Sequence, residues 1–268
     1  MSQAEAVLRE VPVYDLEGNE AKKLTLPRIF GMSVRYDLIR RAFLAAFTAR
    51  LQPKGNDVLA GLRTTAESLG VGHGIARVAR IKGGMRAARV TQAVKGRRAH
   101  PPKVEKILVE RINKKEKKLA LASAIAATSF KELVVKRGHV VPDKPLPIIL
   151  TDDLESINKA SQLRAVFEKI GVWDDVVRAG RGIRVRAGKG KLRGRKYKKP
   201  RSILIIVSNH RELLKAAKNM PGVEVVSAAQ VSVLHLAPGG VPGRLTIFTE
   251  KGLKALEERL GDLKVVNV

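Results

Sequence analysis

The chain contains no cysteine, which excludes disulfides, thiolate metal sites and thiol nucleophiles and fits a reducing compartment. Aromatic residues make up only 4% of it, poor material for the stacking platforms of single-strand binders. No apolar run approaches the roughly 18 residues of a membrane span. The start, Met1-Ser2-Gln3-Ala4-Glu5-Ala6, lacks the basic and apolar regions of a signal peptide. A soluble intracellular protein with no membrane partner is expected. Acids are scarce too: 25 Asp+Glu stand against 52 Lys+Arg, a formal net charge of +27 over 268 residues. Yet 44% of the residues are apolar, which is enough to fill a core and argues against wholesale disorder. The length suits one large domain or two small ones. So large a positive excess calls for a polyanionic partner, and nucleic acid is the commonest.

The positive charge is concentrated in two stretches. Between Gly70 and Lys103 stand Arg77, Arg80, Lys82, Arg86, Arg89, Lys95, Arg97, Arg98 and Lys103, with no acid among them. From Arg178 to Arg201 the basic residues include Arg181, Arg184, Arg186, Lys189, Lys191, Arg193, Arg195, Lys196, Lys198 and Lys199, again without an acid. These 58 residues hold 21 of the 52 basic groups, while the other 210 carry 31 basic and 25 acidic ones. An ordinary globular body with two basic insertions is therefore expected. Both insertions are glycine-rich, and neither shows a sustained 3.6 or 2.0 periodicity from which a core could be built. Alone they would be flexible, since like charges repel and glycine loses the most entropy on ordering. Ordering on a nucleic-acid backbone neutralises such charge better than solvent does.

The body alternates short apolar runs with helical patterns. Helices are expected from Ser33 to near Arg50, from a capping box at Asn113–Glu116, over Asp153–Ile170 with Gly171 as the stop, over Asn209–Met220 capped by Asn209 with Glu212, and over Glu250–Leu260. Strands are expected at Glu132–Val135, Leu146–Leu150, Ser202–Val207, Val223–Val226 and Arg244–Phe248. The unbroken run Ile203–Val207 suits a strand buried on both faces. The pattern implies an α/β fold: a three-layer body with a mainly parallel sheet and helices on both faces, plus a long extended basic loop. Residues 1–50 and 105–268 would form the body, residues 51–104 the RNA-threading loop, and residues 178–201 a second basic loop within the body.

The sequence offers no catalytic constellation. It has no G-x-S-x-G elbow, H-E-x-x-H or Walker A motif. Gly188–Gly194 fits a loosened dinucleotide fingerprint, but the almost wholly basic Arg195–Arg201 replaces the apolar helix that such a site needs. His73, His100, His139, His210 and His235 lack metal-ligand spacing. Asp152-Asp153 and Asp174-Asp175 sit where helices should start, so capping explains them better than Mg²⁺ does. Trp173 reads as a packing residue. No catalytic residue, metal or cofactor is therefore expected.

Tyr197 is the single aromatic in the basic segments, and no recognition-helix or zinc-finger pattern points to sequence-specific duplex DNA. Long Gly/Arg loops suit threading through folded RNA. Glycine lets the backbone pass close to phosphates, and arginine forks pair with them bidentately. A structural part of a ribonucleoprotein is the leading expectation. An α/β RNA-modifying enzyme with basic substrate-binding arms is the alternative, and a DNA-compacting architectural protein is a third possibility.

The stretch Ala66-Glu67-Ser68-Leu69-Gly70-Val71-Gly72-His73-Gly74-Ile75-Ala76-Arg77-Val78-Ala79-Arg80 resembles the loop signature of the fourth protein of the large ribosomal subunit, the universal L-four family, in its archaeal and eukaryotic form. Gly83-Gly84, Thr91-Gln92-Ala93, Gly96–Pro102, Ile112–Lys118, Arg178–Gly180 and Gly188–Tyr197 resemble it in the same order, and His100-Pro101-Pro102 looks archaeal. The resemblance implies a cytoplasmic ribosomal protein that binds large-subunit rRNA. Its partners would include neighbouring ribosomal proteins, and it would not be an independent homo-oligomer. It implies a surface α/β domain and a loop reaching the peptide exit tunnel. Gly70, Gly72, Arg77 and Arg80 match the signature near the loop tip, and Leu69, Gly70, Val71, Gly72 and His73 would face the tunnel. His73 replaces the family's usual Arg, Gly74 its Ala and Ala79 its Pro, and Leu69 stands where eukaryotic members often have Trp. Which side chain lines the tunnel stays open.

Overall fold

Ile203–Val207 forms the backbone of the core because its alternate side chains can be buried on opposite faces of one sheet. The computed structural model describes residues 10–261. Its strands are β1 (Glu10–Tyr14), β2 (Glu20–Thr25), β3 (Ile148–Leu150), β4 (Arg184–Val185), β5 (Tyr197–Lys198), β6 (Leu204–Val207), β7 (Glu224–Ser227) and β8 (Thr246–Thr249). Its α-helices are α1 (Tyr36–Thr48), α2 (Lys114–Ala126), α3 (Lys131–Lys136), α4 (Ala160–Ile170), α5 (Trp173–Arg181), α6 (Arg211–Ala217), α7 (Val233–Leu236) and α8 (Glu250–Leu260). The chain divides into two compact units: Thr48–Val109 is one, and the segments on either side of it form the other.

The larger unit holds a six-stranded sheet in the order β2-β1-β3-β8-β6-β7, parallel throughout except for the β1–β2 pair. Leu204 and Ile206 join Val11, Val13, Ile149 and Phe248 on one face, packed against α1, α2, α7 and α8. Ile203, Ile205 and Val207 face the other way, into Leu163, Phe167 and Ile170 of α4 and Leu213 of α6. The α/β fold with helices on both faces is as expected. Each fully buried Ile, Leu or Phe stabilises it by about 1.5–3 kcal/mol. Where α8 leaves β8, Thr249 caps it by accepting a hydrogen bond from Gly252 N at 3.2 Å. A Cβ on Gly252 would lie 2.8 Å from the Ile206 carbonyl oxygen. Gly252→Ala should therefore lower the unfolding free energy by about 1–3 kcal/mol in a urea titration, because backbone rather than a side-chain tip must move.

Several elements differ from expectation. Glu132–Val135 is not a strand but part of α3, in which Val134 alone is buried. Its backbone bonds run back to Phe130, and the sheet edges are taken by β2 and β7. The helix expected over Asp153–Ile170 is broken: a 3-10 turn spans Asp152–Ser156, and α4 starts only at Ala160. In that turn the Glu155 carboxylate accepts from Ser208 N at 2.8 Å, Asn209 N at 3.0 Å and Thr249 Oγ1 at 2.9 Å. These tertiary bonds to the strand ends outweigh continuing the helix. Gly171 does end α4, at φ 86°. Asn113 precedes α2 without a side-chain cap, because Glu116 turns to Arg41 at 3.2 Å instead of closing the box. Glu212 likewise bonds Lys215 rather than capping α6, which runs only from Arg211 to Ala217. The β1–β2 hairpin and α5 were not expected. Pro12 sits inside β1 and argues against a strand there, but the parallel pairing to β3 involves only Val13 and Tyr14, so Pro12 gives up no hydrogen bond to it.

Candidate nucleic-acid interface

The Thr48–Val109 unit contributes no residue to either apolar cluster of the larger unit. Short reciprocal contacts hold it: Glu67 and Arg80 exchange both backbone bonds at 3.0 Å, and Ala88 N donates to Ala79 O at 2.9 Å. The buried side chains behind them are only alanines, Ala66 and Ala88. Where the chain crosses itself, a Cβ on Gly61 would lie 2.6 Å from Arg97 N, and one on Gly96 would lie 1.9 Å from Val90 O. Only glycine allows that crossing. Arg89 and Lys95 hold positive φ, 69° and 63°, a strain of about 1–3 kcal/mol each that must be offset by their surroundings.

Arg77, Lys82, Arg86, Arg89, Lys95, Arg97, Arg98 and Lys103 are exposed. Arg80 differs: it is half-buried, and its Nη1 donates to Met85 O at 2.7 Å, so it braces the loop from within. Leu69, Gly70, Val71, Gly72 and His73 are all exposed, with Val71 at 70%. Apolar side chains left in solvent at this tip mark a surface that something else covers.

The second basic segment is a short hairpin of β4 and β5 in the larger unit. Arg181, Arg184, Lys189, Lys191, Arg193, Arg195, Lys196, Lys198 and Lys199 are exposed, and Arg186 is half-buried. Arg186 Nε donates to Arg195 O at 3.1 Å, which locks the turn. Arg184 stands directly opposite Lys198 in the register, a like-charge pairing that costs stability. Of all the basic residues expected to contact RNA, only Lys82 has a carboxylate neighbour among the described residues, Glu67 at 3.5 Å.

The hairpin's root is fixed by buried polar groups that the sequence reading missed. Asp175 is fully buried and is not a helix cap. Its Oδ2 accepts from Ser202 Oγ at 2.7 Å and lies 3.0 Å from His139 Nδ1, while its Oδ1 accepts from Val140 N at 2.9 Å and Arg178 Nε at 2.8 Å. Burial pushes this carboxyl up, but the bonds from His139, Arg178 and Ser202 outweigh it and hold the group well below the usual carboxylate range. Burial also pushes His139 below its ordinary value against the pull of Asp175, so the imidazole is neutral near pH 7. Beside them the fully buried Arg244 donates to Ser202 O at 2.8 Å, His235 O at 2.8 Å and Glu224 Oε2 at 2.5 Å. The other oxygen of Glu224 binds Arg201. Arg244, a lone cation directly before the apolar run Leu245–Phe248, was the available sequence signal for this network. Trp173 packs against the apolar cluster around α4, under the Arg164 guanidinium at 4.8 Å. Among the described residues no cluster of His, Asp or Glu could hold a metal, and no helix is long and apolar enough to cross a membrane.

Residues 24–259 match the profile of the Ribosomal protein L4/L1 family. The chain belongs to that family. Large ribosomal subunit protein uL4 of Methanocaldococcus jannaschii is 59% identical over 247 residues, which cover 92% of this chain and 98% of that one. The protein of the same name from Aeropyrum pernix is 57% identical, covering 93% of this chain and 92% of its own. The one from Methanopyrus kandleri is 52% identical, covering 94% and 100%. The L-four resemblance and its archaeal character are thus established. Membership of a ribosomal protein family sets aside the RNA-modifying enzyme.

Proposed function

We propose that this protein is a structural component of the large ribosomal subunit in the cytoplasm and binds large-subunit rRNA through its two acid-free basic segments. Residues 51–104 act as the RNA-threading loop, with Leu69–His73 at the wall of the peptide exit tunnel, and residues 178–201 form the second arm on a body made of residues 1–50 and 105–268. Neighbouring ribosomal proteins complete its surroundings, and it does not act as an independent homo-oligomer. The observation that carries this reading is the density of exposed arginine and lysine with almost no carboxylate in reach. Phosphates neutralise that charge and release counterions, which makes binding tight and strongly salt-dependent. The strained Arg89 and Lys95 backbones and the bare tip fit a segment whose surroundings are completed by RNA.

A salt-series titration of the full chain against large-subunit rRNA and against duplex DNA of equal length tests the reading. A marked preference for rRNA is expected, with log affinity falling by about 0.7 per log unit of salt for each phosphate contacted. Equal affinity for both polyanions would reduce the interaction to generic charge attraction and sink the ribosomal role of these segments.

A further inference from the structure

At the hairpin's root lies a cleft of about 500 Å³ lined by Arg181, Gly182, Arg184, Lys198, Lys199 and Pro200. Four of its six lining residues are cationic, and no carboxylate pairs with any of them among the described residues. The nearby acids are already engaged: Asp175 by His139, Arg178 and Ser202, and Glu224 by Arg201 and Arg244. The C-terminus of α5 adds only about half a negative charge. The cleft therefore keeps a large positive surplus. Register makes the surplus costly, because β4 and β5 hold Arg184 opposite Lys198.

Both walls are anchored. Arg178, one turn before the cleft, reaches across to Arg201 O at 2.9 Å. Ser202, just beyond the return wall, is tied to Asp175, to Arg244 and, through its backbone N at 2.9 Å, to Gly222 O. Gly182 and Pro200 meet so closely that a Cβ on Gly182 would lie 2.6 Å from Pro200 Cγ. The two walls are thus seated on the folded core, unlike the turn at Lys189–Leu192, where none of the four residues is buried.

We propose that this cleft is a preformed phosphate-binding site that takes the backbone phosphodiester of bound RNA. It rests on the RNA-binding reading above and locates the anchor point of the second arm. Two guanidinium forks can grip the non-bridging oxygens bidentately, and the two ammonium groups add point charge. Because the walls are already in place, little entropy is lost on binding, whereas tip residues must be ordered first. A free oligophosphate offers the same oxygens, so the test includes one.

The experiment compares four full-length proteins: wild type, R184A/K198A, K189A/K191A and G182A. Each is titrated with large-subunit rRNA across a salt series, and separately with tripolyphosphate. The two double variants remove equal charge, but only the first removes it from the cleft. Gly182 has an ordinary helical φ of −78°, so alanine there keeps the charge and the backbone while wedging against Pro200. R184A/K198A should lose rRNA affinity at least about tenfold more than K189A/K191A. G182A should lose about three- to tenfold while its circular dichroism stays that of the wild type. Tripolyphosphate bound by the wild type and lost in R184A/K198A would show that free oligophosphate also fits; no tripolyphosphate binding alongside the expected rRNA losses would assign the site to the RNA backbone alone. Equal losses in the two double variants would overturn the proposal and leave a diffuse charge field, whether or not G182A folds. Wild type binding rRNA no better than duplex DNA would fail the ribosomal reading instead, and the cleft comparison would still read out on either polyanion.

Discussion

Replacing Gly70–Lys103 with a flexible Gly/Ser linker is expected to lower affinity for large-subunit rRNA by roughly a thousandfold at moderate salt and to flatten the salt slope by several units. The segment carries nine basic residues and no acid, and all nine except Arg80 are exposed. At about 0.7 per phosphate neutralised, their combined share of the slope reaches about 6 if all engage. The same deletion should leave the unfolding free energy of the α/β unit within about 0.5 kcal/mol, because no residue of the segment enters either apolar cluster. The contrast makes the result diagnostic. A loss of affinity together with a loss of fold would mean that the segment supports the core. An unchanged slope would mean that its cations do not touch phosphate.

That partition was legible in the sequence because charge and glycine content change abruptly at the segment's edges, and neither depends on tertiary context. The buried strands β6 and β8 were legible for a related reason: a strand covered on both faces reads as an unbroken apolar run. Helix α8 was found with the bounds it has, since its apolar face and its start coincide with no competing contact. Errors arose where distant groups decide the outcome. Val134 and Val135 favour a strand locally, but no free sheet edge lies beside them, so the segment coils into α3. Glu155 interrupts a good helical pattern because the ends of β6 and β8 offer it better partners. Glu116 and Glu212 fit a capping box by spacing yet find cations instead. The functional surface divides in the same way. Which residues are basic and exposed could be read directly, while Arg80 braces the loop from within by a bond to Met85 O that no local pattern announces.

Asp175 is the clearest such case, and Asp175→Ala is expected to cost about 3–5 kcal/mol in urea unfolding, a large fraction of a typical domain's 5–15 kcal/mol. The variant strands the Arg178 Nε–H, the Ser202 hydroxyl and the Val140 N–H around a cavity with no acceptor. Asp175→Asn should cost less, since one amide oxygen still accepts, although the amide's N–H₂ then meets donors. Acidity provides an independent check. His139 is held below its ordinary value in the fold, so the unfolded chain takes up that proton first as pH drops below about 6.5. Stability should therefore begin to fall there. Asp175 is also held low, and its contribution, complete above about pH 4, is lost as pH falls further toward its folded value. In Asp175→Ala this second, steeper part of the decline should flatten, because the group that must be protonated is gone. A variant as stable as wild type, with an unaltered acid limb, would show that the Asp175 network does not hold the root of the second basic arm.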